Sequence, residues 1–316
     1  MSARTRVFAV VGLAAAVVIA AVVGVTLLQT RGETTTAAGM VTKPRAGAPP
    51  LLFDFGVRAD AESQSLGRGA ELLKQGKRAA AQAIFARDRS LQGQIGAAFA
   101  RWPDGSLDAV KHLVATHPRS PVAQLHLALA LYWSGRNADA VKAFQRVDSR
   151  FPDSPSAVDA EDILYANRYV PGLPYMIGPV QLPQAPDLAA QLAAAKNSPL
   201  ASGVMLWRLD RRISARRALD RAAAAAPNDP LVLAFDAVSH FTKKDPTPAF
   251  ARLGPLTSRF PRAAVVRLEL GLLLLWRKEV QRGTRQLRLA AAAQPGSVYS
   301  VEAKKLLSAL VPNGTK

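Results

Sequence analysis

The chain has 316 residues, a formal net charge of +18 and no cysteine, which excludes disulfides, thiolate metal sites and a lipid-modified N-terminal cysteine. Abundant alanine with only 6% aromatic residues favours helices over sheets, and the length suits two domains or a repeat array. The charge has two readings: an anionic partner such as lipid, wall polymer or nucleic acid, or a compositional bias toward arginine spread over most helices.

Residues 1–6 carry Arg4 and Arg6, and Val7–Leu28 follows without a charge. As a helix this stretch spans about 33 Å, matching a hydrocarbon core of roughly 30 Å, and it exceeds the usual apolar region of a signal peptide. The expectation is an uncleaved transmembrane signal anchor over 7–28. The alternative is cleavage near Thr36-Ala37-Ala38-Gly39. Arg31 and Glu33 nearly cancel after the span, so the positive-inside rule places 1–6 in the cytoplasm and the bulk outside it, at the plasma membrane. Gly12, Ala16, Ala20 and Gly24 form a ridge of small residues that would admit a dimer or helix partner, a pattern that an alanine-rich segment also produces by chance. Residues 29–61 read as a flexible linker ending in Leu51–Val57, an apolar run expected to cap the first repeat.

From Glu62 onward helical periodicity recurs without a convincing strand. Pro121–Ser154 is the clearest stretch, two amphipathic helices around a turn at Ser134-Gly135. Its residues Leu127, Ala128, Gly135, Ala140, Phe144, Val147 and Pro152 follow the pattern of the tetratricopeptide repeat (TPR) family, which it resembles. Pro118 and Pro152 are 34 residues apart, as are Pro227 and Pro261, and Pro261 and Pro295, so one register runs through the chain. The resemblance implies an all-α, TPR-like solenoid of helical hairpins, here preceded by one N-terminal transmembrane helix. Repeats occupy 62–154 and 196–297, with a degenerate repeat at 155–195 and a capping helix and tail at 298–316. The second repeat is short, with its first helix compressed around Leu91–Arg101. In the fourth, the proline-rich insertion 170–187 forbids a helix and carries or adjoins Tyr165, Tyr169 and Tyr175, which makes it either a binding loop or a cover for an exposed edge.

Catalytic patterns are missing. The four histidines do not form a paired zinc-hydrolase spacing, no Gly-x-Ser-x-Gly occurs, and Gly69–Lys77 has the wrong spacing for a phosphate loop. The expectation is no enzyme, no cofactor and no metal. The resemblance instead implies a concave groove lined by the first helices, with Tyr132, Trp133, Trp207, Phe241, Leu275 and Trp276 facing a protein partner, unless these aromatics pack between helices. Arg208, Arg211, Arg212, Arg216, Arg217 and Arg221 form the densest basic cluster, read as an anion-binding face or a solvated one. Similarity to bacterial single-pass membrane-anchored TPR proteins implies an extracytoplasmic scaffold that binds other proteins in envelope assembly, secretion or complex maturation. The rivals are a polyanion or nucleic-acid binder, with nucleic acid the weaker case, and a non-catalytic accessory subunit of an enzyme complex.

Overall fold

The computed structural model describes residues 43–165, 176 and 188–310. The expected membrane span 7–28, its ridge of Gly12, Ala16, Ala20 and Gly24, and Tyr169 and Tyr175 of the insertion region lie outside the described residues. Among the described residues there are fifteen α-helices and no strand, and no helix is long and apolar enough to cross a membrane. The helices are α1 (Ala61–Lys74), α2 (Arg78–Phe85), α3 (Leu91–Ala100), α4 (Ser106–Thr116), α5 (Pro121–Trp133), α6 (Asn137–Arg150), α7 (Pro155–Leu164) and α8 (Leu188–Ala194). They continue as α9 (Pro199–Arg208), α10 (Arg212–Ala225), α11 (Pro230–Ser239), α12 (Thr247–Arg259), α13 (Ala264–Trp276), α14 (Val280–Ala293) and α15 (Val298–Leu310).

The boundaries have local causes. α5, α9 and α11 each begin with a capping side chain followed by proline at the first helical position: Ser120-Pro121, Ser198-Pro199 and Asp229-Pro230. The cap oxygen accepts from a first-turn N–H, and proline lacks the N–H that would otherwise go unpaired there. The turns inside five of the six hairpins described below hold one left-handed residue. Gly76 (φ 77°) and Gly135 (φ 76°) supply it without a Cβ penalty, whereas Asp210 (φ 55°) and Lys278 (φ 65°) hold the same place in later hairpins with side chains that rarely adopt it.

Six hairpins result: α1/α2, α3/α4, α5/α6, α9/α10, α11/α12 and α13/α14. Within each, the small residues of the repeat register sit where the helices cross. Ala140, Ala215 and Ala249 are fully buried, and a Cβ on Gly203 would lie 2.5 Å from the Leu219 side chain. The large residues Phe144, Leu219, Leu253 and Leu287 are buried beside them, each worth about 1.5–3 kcal/mol of transfer free energy. Successive first helices also touch: α1 with α3, α3 with α5, α5 with α7, α11 with α13 and α13 with α15. Within each unit they form an inner row, as the repeat register requires.

The chain divides into two compact units at Leu164–Tyr165. The first unit buries Leu66, Phe85, Phe99, Leu125, Leu129 and Phe144. The second buries Trp207, Phe235, Phe241, Leu272 and Trp276 among others, together with Met176 of the insertion. α15 closes the second unit with Tyr299, Ser300 and Ala303 inward and Lys304 and Lys305 exposed, the polar outer face that the end of a solenoid needs.

Candidate functional site

The inner row of the first unit is covered by the chain's own residues 45–55. This corrects two expectations. Arg45 is docked although the sequence places it in a flexible linker, and the apolar run reaches beyond the first hairpin to α3 and α5. The reason is that Pro49-Pro50 and the Leu51-Leu52-Phe53 run give the segment apolar surface to bury. Pro49 is buried, and Leu51, Leu52, Phe53 and Phe55 pack on the first unit's core as half-buried residues.

At one end of the segment the Arg45 backbone N–H donates to the Trp133 carbonyl at 2.8 Å. The Arg45 guanidinium lies 3.4 Å over the Tyr132 ring centroid, and its Nη1 donates to the Tyr132 carbonyl and to Asn137 Oδ1. A guanidinium over an aromatic face is attracted by the ring quadrupole, and the two carbonyls lie at the C-terminus of α5, where positive charge is favoured.

Seven residues further on, the Leu52 backbone N–H donates to His126 Nε2 at 3.1 Å. Because Nε2 accepts, the ring proton sits on Nδ1, which donates to the Val122 carbonyl at 2.7 Å. Burial pushes the His126 imidazole down to about 4, against the opposing pull of the Val122 carbonyl, so it is a neutral acceptor at ordinary pH. Phe53 completes the site by meeting Phe85 edge-on at 6.3 Å and the His126 ring at 5.5 Å. The segment passes from the C-terminal end of α5 toward its middle, held by main-chain hydrogen bonds, one cation–π stack and an aromatic anchor.

Of the aromatics expected on the groove, the structure brings Tyr132 and Trp133 to this site. Tyr132 is half-buried under Arg45. Trp133 contributes its carbonyl while its ring is buried. The others are a correction. Trp207, Phe241, Leu275 and Trp276 are buried at 4%, 6%, 2% and 1% exposure, because they fill the space between helices and do not face an open groove. Phe241 and Trp276 meet edge to face at 4.8 Å. Tyr165 is half-buried just after α7.

The basic cluster also divides. Arg208, Arg217 and Arg221 are exposed. Arg211, Arg212 and Arg216 are half-buried. Arg212 stacks 3.8 Å over the Trp207 ring and pairs with Asp210 at 2.7 Å, and Arg216 Nε donates to the Ser239 carbonyl at 3.2 Å. At least two of the six therefore hold the fold together, and the continuous basic face expected from sequence is interrupted.

Sequence reasoning missed Arg45 and His126. The signal for Arg45 was its place six residues before an apolar run. His126 carried none, since its role depends on which backbone group the fold brings to it.

No family model and no curated protein matches the chain. Among solved structures, it is similar to a tetratricopeptide repeat protein from Parabacteroides merdae, at 11% identity, covering 78% of this chain and 97% of that one with a TM-score of 0.30. Yeast Tom70 aligns at 10% identity over 85% of this chain and 67% of its own, with a TM-score of 0.23. The fold rests on the chain's own hairpins and their register.

Proposed function

We propose that the chain is a non-catalytic docking scaffold, held at the plasma membrane by 7–28 with its helical units outside the cytoplasm, and that the inner row of its first unit takes an extended segment of a partner protein. The carrying observation is that residues 45–55 already make there the contacts a bound peptide makes. Main-chain donors of the segment meet the Trp133 carbonyl and His126 Nε2, a guanidinium meets Tyr132, and an aromatic side chain meets Phe85. A partner with a basic residue followed six to eight residues later by an apolar, aromatic-ending run would satisfy the same groups. The charge asymmetry around 7–28 supports the placement, and envelope assembly, secretion or complex maturation are roles that suit it.

The segment in place lowers the apparent affinity for such a partner by the fraction of time the groove stands open. A labelled peptide with the sequence of residues 43–57 tests the reading by fluorescence anisotropy. It should bind the full chain weakly, and a chain carrying Arg45→Ala with Phe53→Ala at least about tenfold more tightly, since a 1.4 kcal/mol loss of cis docking is a factor of ten. Equal binding to both chains, or none to either, would count against the groove. The basic-face alternative is less well supported, because Arg212 and Arg216 are engaged within the fold.

A further inference from the structure

We infer that Asp220, Asp236 and His240, on α10 and at the end of α11, form a binding site for a first-row divalent metal ion such as zinc or cobalt. The three come together through packing. Asp236 and His240 are four residues apart on one face of α11 and its cap, and α10 packs alongside with Asp220. One ligand atom from each lies within 4.8 Å of the others. His240 Nε2 is 3.0 Å from Asp220 Oδ1 and 3.7 Å from Asp236 Oδ1. Bonds of roughly 2.0–2.2 Å to a tetrahedral ion put neighbouring ligand atoms about 3.3–3.5 Å apart. The two measured separations straddle that value, so small side-chain rotations would seat an ion.

A second observation points to a ligand. The Asp236 side chain is only 8% exposed, and its Oδ1, which faces the other two groups, is buried without a hydrogen-bond partner. Leaving a carboxylate oxygen so placed costs free energy unless a cation or a proton meets it. The other oxygen, Oδ2, is 3.3 Å from Arg252 Nη1 on α12, an outer contact that fixes the plane of the carboxylate and leaves Oδ1 aimed at His240. Burial, reinforced by the neighbouring Asp220 and opposed by Arg252, pushes Asp236 up to about 6, and burial also lowers His240, which keeps its imidazole neutral and able to donate a lone pair.

The donor set chooses the class of ion. One imidazole nitrogen with two carboxylate oxygens suits zinc, cobalt, nickel or copper, whereas calcium wants six to eight oxygens and magnesium dehydrates reluctantly. Asp220 is 45% exposed, so solvent reaches the fourth position. The ion would tie α10 to α11, and so one hairpin to the next.

The test uses the full chain after chelation, titrated with Co²⁺ alone. Visible d–d absorption should saturate at one equivalent, Zn²⁺ should displace it, and the thermal midpoint of the second unit should rise with either ion. Asp236→Asn and His240→Ala should each weaken binding at least tenfold. Asp220→Asn, at a half-exposed position where folding is not at stake, should do the same. Glu302→Gln, a half-buried carboxylate elsewhere in the unit that pairs with Lys305, should leave binding unchanged. No saturable binding at one equivalent, or binding that survives the three ligand substitutions, would overturn the site and leave a proton shared by the two carboxyl groups in its place.

Discussion

The two units solve one packing problem in two ways. Each has an inner row of first helices, and the C-terminal end of one of them carries a tryptophan in the same register, Trp133 in the first unit and Trp276 in the second. In the second unit the space is filled from within, by Trp276 against Phe241. In the first Trp133 is buried as well, and a separate piece of chain, residues 45–55, is laid on top, with Arg45 over Tyr132 and Phe53 against Phe85. A side chain that is part of a packed core cannot leave without unfolding its unit. A strap held by a few contacts can leave and return while its unit stays folded. That contrast is why the first unit reads as the docking surface and the second as a rigid support.

The comparison can be broken first at its stiffest point. Trp276→Ala removes a ring that is 1% exposed, and it should destabilise the second unit by about 3–5 kcal/mol in urea denaturation while leaving the first unit's transition in place. A loss well under 1 kcal/mol would mean that Trp276 is not a core residue.

Acid should separate the units next. His126 is held at about 4 in the folded first unit, below the value of about 6.5 in an unfolded chain. The unfolded form therefore takes up a proton first, and the stability His126 gives the first unit is present above pH 6.5 and falls away between about pH 6.5 and 4, by roughly 2–4 kcal/mol. Asp236 in the second unit is shifted the other way, up to about 6, so its contribution is present at low pH and is lost as pH rises through 6, with the lowered His240 partly offsetting it. Hydrogen exchange of the Leu52 amide between pH 7 and 4.5, corrected for the intrinsic rate, should show loss of protection on acidification. Unchanged protection would remove His126 from the site.

Arg45→Ala is a finer probe. It deletes the Tyr132 stack and the side-chain hydrogen bonds at the strap's end, and should cost about 1–2 kcal/mol of docking. Leu52 exchange should speed up roughly tenfold at neutral pH while global unfolding hardly moves. The smallest effect concerns the turns. Lys278 holds the left-handed place that Gly135 holds in the first unit, so Lys278→Gly should stabilise the second unit by up to about 1 kcal/mol, and Gly135→Ala should destabilise the first by a similar amount.

Much of the fold was legible because a helical repeat is local information written several times. Ser120-Pro121, Gly135, Ala140, Phe144 and Pro152 each specify a start, a turn, a close crossing or a stop within one hairpin, and the 34-residue spacing says that neighbours do the same. The short α3 and the helix α15 were readable for the same reason. The site was less legible. Sequence register put Trp207, Phe241 and Trp276 on the first helices, and register alone does not say whether a residue at that place meets solvent, a neighbouring helix or a returning strap.

What the sequence determined by itself is therefore the hairpin, its period and the apolar faces that force hairpins to stack, since these follow from helix geometry and from which residues must leave water. What only the tertiary structure decided is which distant groups meet. Leu52 finds His126 and Arg45 finds Tyr132 from about 75 to 90 residues away, and Asp220 finds Asp236 and His240 across a hairpin junction. Such pairings have no periodicity to announce them. They exist because packing α5 against α3, and α10 against α11, fixes side chains in place before any of their polar groups has been paired.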